Sequence, residues 1–233
     1  MISFYSKDII IYMPLYLTVY LMKHLALIFK KLKHFYPLTQ WSEHNNQTPF
    51  QVLISCILSL RTKDKVTYAA SKTLFQKART PLSLSKLPLK TIENLIYPVG
   101  FYKTKAKRIK LIADTIHTKY RDRVPDTLSE LLKFKGIGKK TASIVMVYGH
   151  KKPDFIPVDI HVHVIANRLG WVKTKTPDQT MDALMKTVPK KYWQDLNEIF
   201  VRFGQDICTT MSPWCSKCPI SQYCPKVSVT RSR

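Results

Sequence analysis

The segment L-L-K-F-K-G-I-G-K-K-T-A-S-I-V, Leu131 to Val145, carries an apolar helix end, a G-x-G turn and the start of a second helix near Lys139. Gly136 and Gly138 let such a turn approach another backbone closely, and the first N–H groups of the following helix point outward toward an anion. Lys135, Lys139 and Lys140 surround the turn with positive charge. That favours a phosphate held without reading base sequence over a plain packing corner. Lys140 admits a sharper reading. In the first turn of the second helix, the positive end of the dipole and the neighbouring lysines disfavour an ammonium, and a lysine partly in its neutral form can attack carbon and form a Schiff base. The segment leaves both readings of Lys140 open, nucleophile or further phosphate contact. Lys139 projects about 100° away around the helix, so at most one of the two faces a substrate.

The surrounding composition agrees with an anionic partner. The chain has 233 residues, with 38 Lys+Arg against 15 Asp+Glu, a net charge of +23. An excess of that size favours a polyanion through counterion release. An apolar share of 45% excludes an intrinsically disordered chain. Charge alone does not choose between nucleic acid and a lipid surface. The apolar run from Ile9 to Met22 is interrupted by Pro14 and Thr18 and is too short for a membrane span. It lacks the flanks of a signal peptide, so residues 1–21 read as a dispensable extension and no stable membrane association is expected. From Met22, M-K-H-L-A-L-I-F-K-K-L-K-H-F-Y-P reads as an amphipathic helix.

Along the rest of the chain, apolar residues recur at helical spacing and strand-type alternation is scarce. The segment from Pro49 to Phe75 is helical in pattern, with proline suited to the first turn. Shorter helical patterns follow around Leu84, over Lys90–Tyr97, Lys103–Tyr120 and Thr127–Leu132, then over Lys139–Tyr148, Asp159–Leu169, Pro177–Thr187 and Lys191–Gln205. The expectation is an all-α chain of about ten helices joined by short loops.

A second motif, I-P-V-D-I-H-V-H-V-I-A-N-R-L-G, spans Ile156 to Gly170. Asp159 follows Pro157 and precedes a helical run, the position of an N-cap. Many such aspartates only cap. A carboxylate beside an anion-binding site weakens that binding, however, and so invites a catalytic role. His161 and His163 lie two apart and face different sides of a helix, which excludes a metal pair; both read as structural or close to the ligand.

Cysteines supply the third signal. Cys56 lies in the apolar run V-L-I-S-C-I-L and reads as a small buried residue. The other four, Cys208, Cys215, Cys218 and Cys224, form C-x6-C-x2-C-x5-C. A disulfide framework would spread its cysteines through the chain. Four thiols this close suit a metal centre. The uneven gaps favour a [4Fe–4S] cluster over zinc, which usually pairs two short knuckles, but spacing leaves zinc open.

Together, K-G-I-G-K-K-T-A, P-V-D-I-H-V and C-x6-C-x2-C-x5-C resemble the endonuclease III family of helix-hairpin-helix DNA glycosylases. The resemblance covers residues 28–226 and includes L-I-S-C-I-L-S-L-R-T-K-D (Leu53 to Asp64), G-F-Y-K-T-K-A (Gly100 to Ala106), A-N-R-L-G (Ala166 to Gly170) and F-V-R-F-G (Phe200 to Gly204). It implies a two-domain fold. A six-helix barrel over residues 42–152 carries the hairpin; residues 22–41 with 153–226 form an iron–sulfur domain, and 227–233 form a basic tail. DNA lies across the cleft between the domains. Lys140 then matches the catalytic lysine and Asp159 the catalytic aspartate, and Cys208, Cys215, Cys218 and Cys224 match the ligands of a [4Fe–4S] cluster. Lys135, Gly136, Gly138 and Lys139 match the DNA-binding hairpin. The implied activity is removal of damaged bases, oxidised pyrimidines above all, followed by strand cleavage as an AP lyase. The partner is double-stranded DNA carrying damaged bases or abasic sites, the protein a monomer, and its place the nucleoid of the cytoplasm if the source is prokaryotic.

Six residues at four places depart from the family pattern. Leu60 and Arg61 stand where a glutamine often helps fill the space left by the extruded base. Phe134-Lys135-Gly136 replaces Leu-Pro-Gly, Ile160 replaces a common threonine, and Val164 replaces a common arginine. Phe101, in a loop that matches a duplex-wedging segment, reads as an intercalator or as a core aromatic. Two other functions share parts of the pattern: an adenine glycosylase, which typically lacks the lysine and carries a further C-terminal domain, and an iron–sulfur DNA-binding module without catalysis.

Overall fold

A computed structural model describes residues 15–38 and 46–233, with side chains from residue 24 onward. The described residues hold eleven α-helices: α1 (Leu15–Phe35), α2 (Pro49–Ser59), α3 (Asp64–Lys77), α4 (Pro81–Ser85), α5 (Leu89–Ile96), α6 (Tyr102–Tyr120), α7 (Leu128–Leu131), α8 (Lys139–Ile144), α9 (Ile160–Arg168), α10 (Pro177–Thr187) and α11 (Trp193–Asp206). Three of them begin on a Thr-Pro pair. Thr48, Thr80 and Thr176 each accept from the backbone N–H three residues on, and the following proline occupies the first turn, where its missing N–H has no partner to lose. None of the described helices is long and apolar enough to cross a membrane.

The helices enclose two hydrophobic cores. One is built within residues 50–148, from Leu53, Ile57, Leu74, Ile92, Ile109 and Val145 among others. The other joins Leu25, Ile28, Phe29 and Leu32 of α1 to Trp171, Phe200 and Phe203. The α1 residues sit at helical spacing on one buried stripe, each such side chain contributing about 1.5–3 kcal/mol when removed from water. Phe29 stacks on Tyr192 at 4.5 Å, and Leu128 and Phe155 pack against both cores.

Several elements differ from their sequence patterns. α1 starts at Leu15, inside the stretch read as an extension; residues 1–14, and the 39–45 segment containing the expected domain boundary, lie outside the described residues. The helical pattern from Pro49 to Phe75 is divided after Ser59, where Arg61 turns the chain with a φ of 51°. The helix expected to reach Tyr148 is α-helical only to Ile144 and widens into a π turn over Val145–Gly149. That turn lies so close to α2 that a methyl on Gly149 would meet Pro49 Cα at 2.9 Å. The 227–233 basic tail is held to the cysteine region and α9. Val227 N–H donates to Arg168 O at 3.1 Å, and the Arg233 guanidinium stacks over Trp214 at 4.0 Å while donating to Ser212 O.

Candidate active site

Leu131 ends the short α7, and the turn after it leads to Gly138 as N-cap of α8. Gly136 has a φ of 85°, a left-handed conformation that glycine adopts without strain. A methyl there would also lie 2.8 Å from the Arg108 guanidinium. The close approach is thus to a side chain of α6, and not to another backbone as the sequence suggests. Gly138 differs: nothing lies within 4 Å of its would-be Cβ, so the backbone at the start of α8 faces open space.

Lys139 and Lys140 follow and diverge. Lys139 Nζ pairs with Asp182 Oδ2 of α10 at 3.0 Å. Its charge is therefore partly neutralised within the protein, which the reading of Lys139 as a phosphate contact did not include. Lys140 Nζ lies 3.4 Å from Asp159 Oδ2, with side-chain exposures of 45% and 11%. The other Asp159 oxygen, Oδ1, accepts from Val162 N–H at 2.9 Å as the N-cap of α9. One carboxylate thus does two things: Oδ1 anchors it to a helix end, and that bond aims Oδ2 at the lysine. Cys56 is buried, its thiol pushed up to about 12 by burial, with the Lys140 charge acting the other way. It behaves as the small apolar residue expected.

The two histidines are structural. His161 Nδ1 is buried without a hydrogen bond, and a Cβ on Gly204 would meet it at 2.6 Å. His163 Nδ1 bonds the Thr180 hydroxyl at 2.6 Å, tying α9 to α10, and burial holds its basicity below the ordinary range.

Arg61 and Phe101 are brought together at a second place. The guanidinium carbon lies 5.9 Å from the ring centroid. Phe101 is 64% exposed, which removes the core-aromatic reading. Leu60 and Ile160 are exposed as well.

Cys208, Cys215, Cys218 and Cys224 line one cavity, walled by Ile165, Leu169, Phe203, Ile207 and Ile220. None of them is in a disulfide. No group of His, Cys, Asp or Glu among the described residues has the arrangement that a single metal ion needs. Burial pushes the Cys218 thiol up to about 11 and also raises Cys208 and Cys224. Burial thus disfavours the thiolate at these positions, and a bound metal would supply charge that offsets it. The buried Arg168 donates to Cys208 Sγ at 3.3 Å and to the carbonyls of Cys208, Thr209 and Thr210. An all-thiol donor set, apolar walls and a cation bonded to one sulfur fit an iron–sulfur group.

Sequence reasoning missed Asp182, Arg108, Thr62 and Lys105. Each acts on the site through a contact with a distant part of the chain; Thr62 and Lys105 lie within the L-S-L-R-T-K-D and G-F-Y-K-T-K-A segments, which do not reveal that contact.

The family profile described as HhH-GPD superfamily base excision DNA repair protein matches residues 54–190. The chain is 48% identical over 181 residues to "Endonuclease III" of Thermotoga maritima, covering 78% of this chain and 84% of the relative. It is 42% identical over 184 residues to "Endonuclease III homolog 2, chloroplastic" of Arabidopsis thaliana, covering 76% of this chain and 48% of that longer protein. Its structure resembles that of a trapped endonuclease III–DNA covalent intermediate, with a TM-score of 0.75 and 30% identity, over 88% of this chain and 95% of the other.

Proposed function

The chain belongs to the endonuclease III family of HhH-GPD superfamily base excision DNA repair proteins, and from that premise we propose that it excises oxidised pyrimidines from duplex DNA through a Schiff base on Lys140. It is a DNA glycosylase and AP lyase of base excision repair. The observation that carries the assignment of residues is the 3.4 Å pair of Lys140 and Asp159 beside the hairpin.

The damaged nucleotide is first extruded from the duplex. Asp159 takes a proton from the Lys140 ammonium, and the freed lone pair attacks C1′ as the glycosidic bond breaks and its electrons leave with the base. The bonded nitrogen gives up a proton to O4′ as the C1′–O4′ bond opens, leaving an iminium between Lys140 and C1′. The iminium acidifies the 2′ proton; its removal expels the 3′ phosphate by β-elimination, and water then hydrolyses the imine to release the lysine. The +23 charge supports engagement of the DNA backbone, and the open face of Gly138 leaves room for a phosphate.

Cys208, Cys215, Cys218 and Cys224 are the residues that would hold a [4Fe–4S] cluster, which when bound supplies a structural tie between α9, α11 and the cysteine loop. A visible absorbance in freshly purified protein, absent from Cys215→Ser, distinguishes iron–sulfur from zinc. The protein is proposed to act as a monomer on cytoplasmic, nucleoid DNA if its source is prokaryotic.

Borohydride trapping on a duplex with an abasic site tests the mechanism. Wild-type protein should yield a covalent protein–DNA adduct and Lys140→Gln none; no adduct from wild-type protein sinks the lyase assignment.

A further inference from the structure

Lys105, in the first turn of α6, is only 4% exposed and makes no ion pair among the described residues. A buried ammonium without a carboxylate is costly unless all its donors are used. Here the three donors go to one loop: Leu58 O at 2.8 Å, Leu60 O, and the Thr62 hydroxyl at 3.0 Å. The first two lie at the C-terminal end of α2, where carbonyls lack helical partners and the dipole favours a cation. The loop is thereby fixed from behind.

The same loop is tied to a second one. Gly100 N–H donates to the Thr62 hydroxyl at 3.2 Å, and a methyl on Gly100 would meet Arg61 O at 2.7 Å, so only glycine permits this approach. Immediately beside these ties, Arg61 and Phe101 both adopt left-handed backbone, with φ of 51° and 58°. Neither is a residue that does so without strain, and strain of this kind persists only where surrounding contacts hold it. Both side chains are exposed, guanidinium over ring.

We infer that Lys105 is a positioning residue for Arg61 and Phe101, holding the two loops so that guanidinium and ring enter the duplex as one stacked unit when the damaged nucleotide leaves it. This rests on the glycosylase reading above. The cation and the ring supply what a vacated stack needs, a planar apolar body and a charge among phosphates. Lys105 touches no DNA. It acts by making the loop conformation ready before binding, so that the ordering cost is not met during base extrusion.

The test compares two substrates for Lys105→Met. One is a duplex containing thymine glycol, with base release measured in a single turnover and unstacking followed by 2-aminopurine fluorescence. The other is a single-stranded abasic oligonucleotide, trapped with borohydride, which has no stack to open. Lys105→Met should slow duplex base release and the fluorescence rise about tenfold to a hundredfold, the scale set by small misplacements, while single-strand trapping stays at the wild-type rate. Thr62→Val, a half-exposed change that removes one Lys105 acceptor and the Gly100 tie, should shift the same ratio in the same direction even if Lys105→Met folds poorly. Arg61→Ala and Phe101→Ala should each slow the duplex reaction alone. Equal losses on both substrates, or no loss on the duplex, would overturn the inference. Lack of wild-type trapping would instead overturn the function on which it rests.

Discussion

Asp159 Oδ2 approaches Lys140 Nζ to 3.4 Å while Asp159 Oδ1 caps α9 through Val162 N–H at 2.9 Å. In the proposed mechanism the anchor and the proton acceptor are the two oxygens of one carboxylate, and the two roles can be separated by substitution. Asparagine caps as well as aspartate does but cannot accept the lysine proton. Asp159→Asn should therefore melt like the wild type while base release falls about 10²- to 10⁴-fold. Asp159→Ala should lose the same activity and, in addition, about 1 kcal/mol of stability. Thermal melting beside single-turnover kinetics reads both; a large stability loss in Asp159→Asn would contradict the division of labour.

The hairpin glycines should respond differently from each other. Gly136→Ala places a methyl at a φ of 85° and against the Arg108 guanidinium, and should cost about 1–2 kcal/mol in chemical denaturation. Gly138→Ala meets nothing within 4 Å and should leave stability within about 1 kcal/mol of wild type. Its methyl nevertheless intrudes where a phosphate would lie, so DNA affinity should fall. Equal stability losses for the two variants would refute this account of the turn.

On the proposal that Lys139 contacts a DNA phosphate, Asp182, which pairs with it at 3.0 Å, competes with DNA for its ammonium. Asp182→Asn releases that ammonium, so binding to undamaged duplex should tighten and the slope of log K against log salt should steepen by about 0.9, one more phosphate neutralised. Fluorescence anisotropy over a salt series measures both. An unchanged slope would mean that Lys139 does not reach the backbone.

Burial pushes Lys105 down to about 8, with Arg108 adding repulsion. In the unfolded chain a lysine titrates near about 10.4. Between these values the unfolded state binds the extra proton, so this group makes stability rise with pH across that window and withholds the gain below it. Relative to Lys105→Met, wild-type protein should gain melting temperature between pH 7 and pH 9.5. A constant difference would place the titration elsewhere.

What could be read in the sequence had local causes. Lys140 stood out by its first-turn position, Asp159 by its place between Pro157 and a helix, and the thiols by spacing within 17 positions. The helices followed from apolar periodicity and, for α2, from Pro49 in its first turn. The rest depends on contacts between distant residues. Lys105 reaches Leu58 across 47 positions and Lys139 reaches Asp182 across 43, and the local segments that contain these two lysines show neither partner. Phe101 sits among apolar residues, so its exposure was undecidable until the backbone at Gly100 was seen packed against Arg61. The π turn at Val145–Gly149 likewise packs against α2 at Pro49, a contact that the periodicity of its own segment does not contain.

The second core has a consequence for how the chain is made. Tyr36 O–H donates to Asp206 Oδ2 across 170 positions, Lys33 pairs with Asp195, and Phe29 packs on Phe200. α1 thus emerges early from the ribosome with an apolar stripe whose partners are synthesised last. At about 5–20 residues per second, that wait is on the order of ten to thirty seconds. During it the helices of the first core, whose contacts lie within residues 50–148, are complete and able to pack. The stripe of Leu25, Ile28, Phe29 and Leu32 is then an uncovered apolar surface of the nascent protein, and a chaperone that holds an apolar helix would act there before Cys208, Cys215, Cys218 and Cys224 have left the exit tunnel.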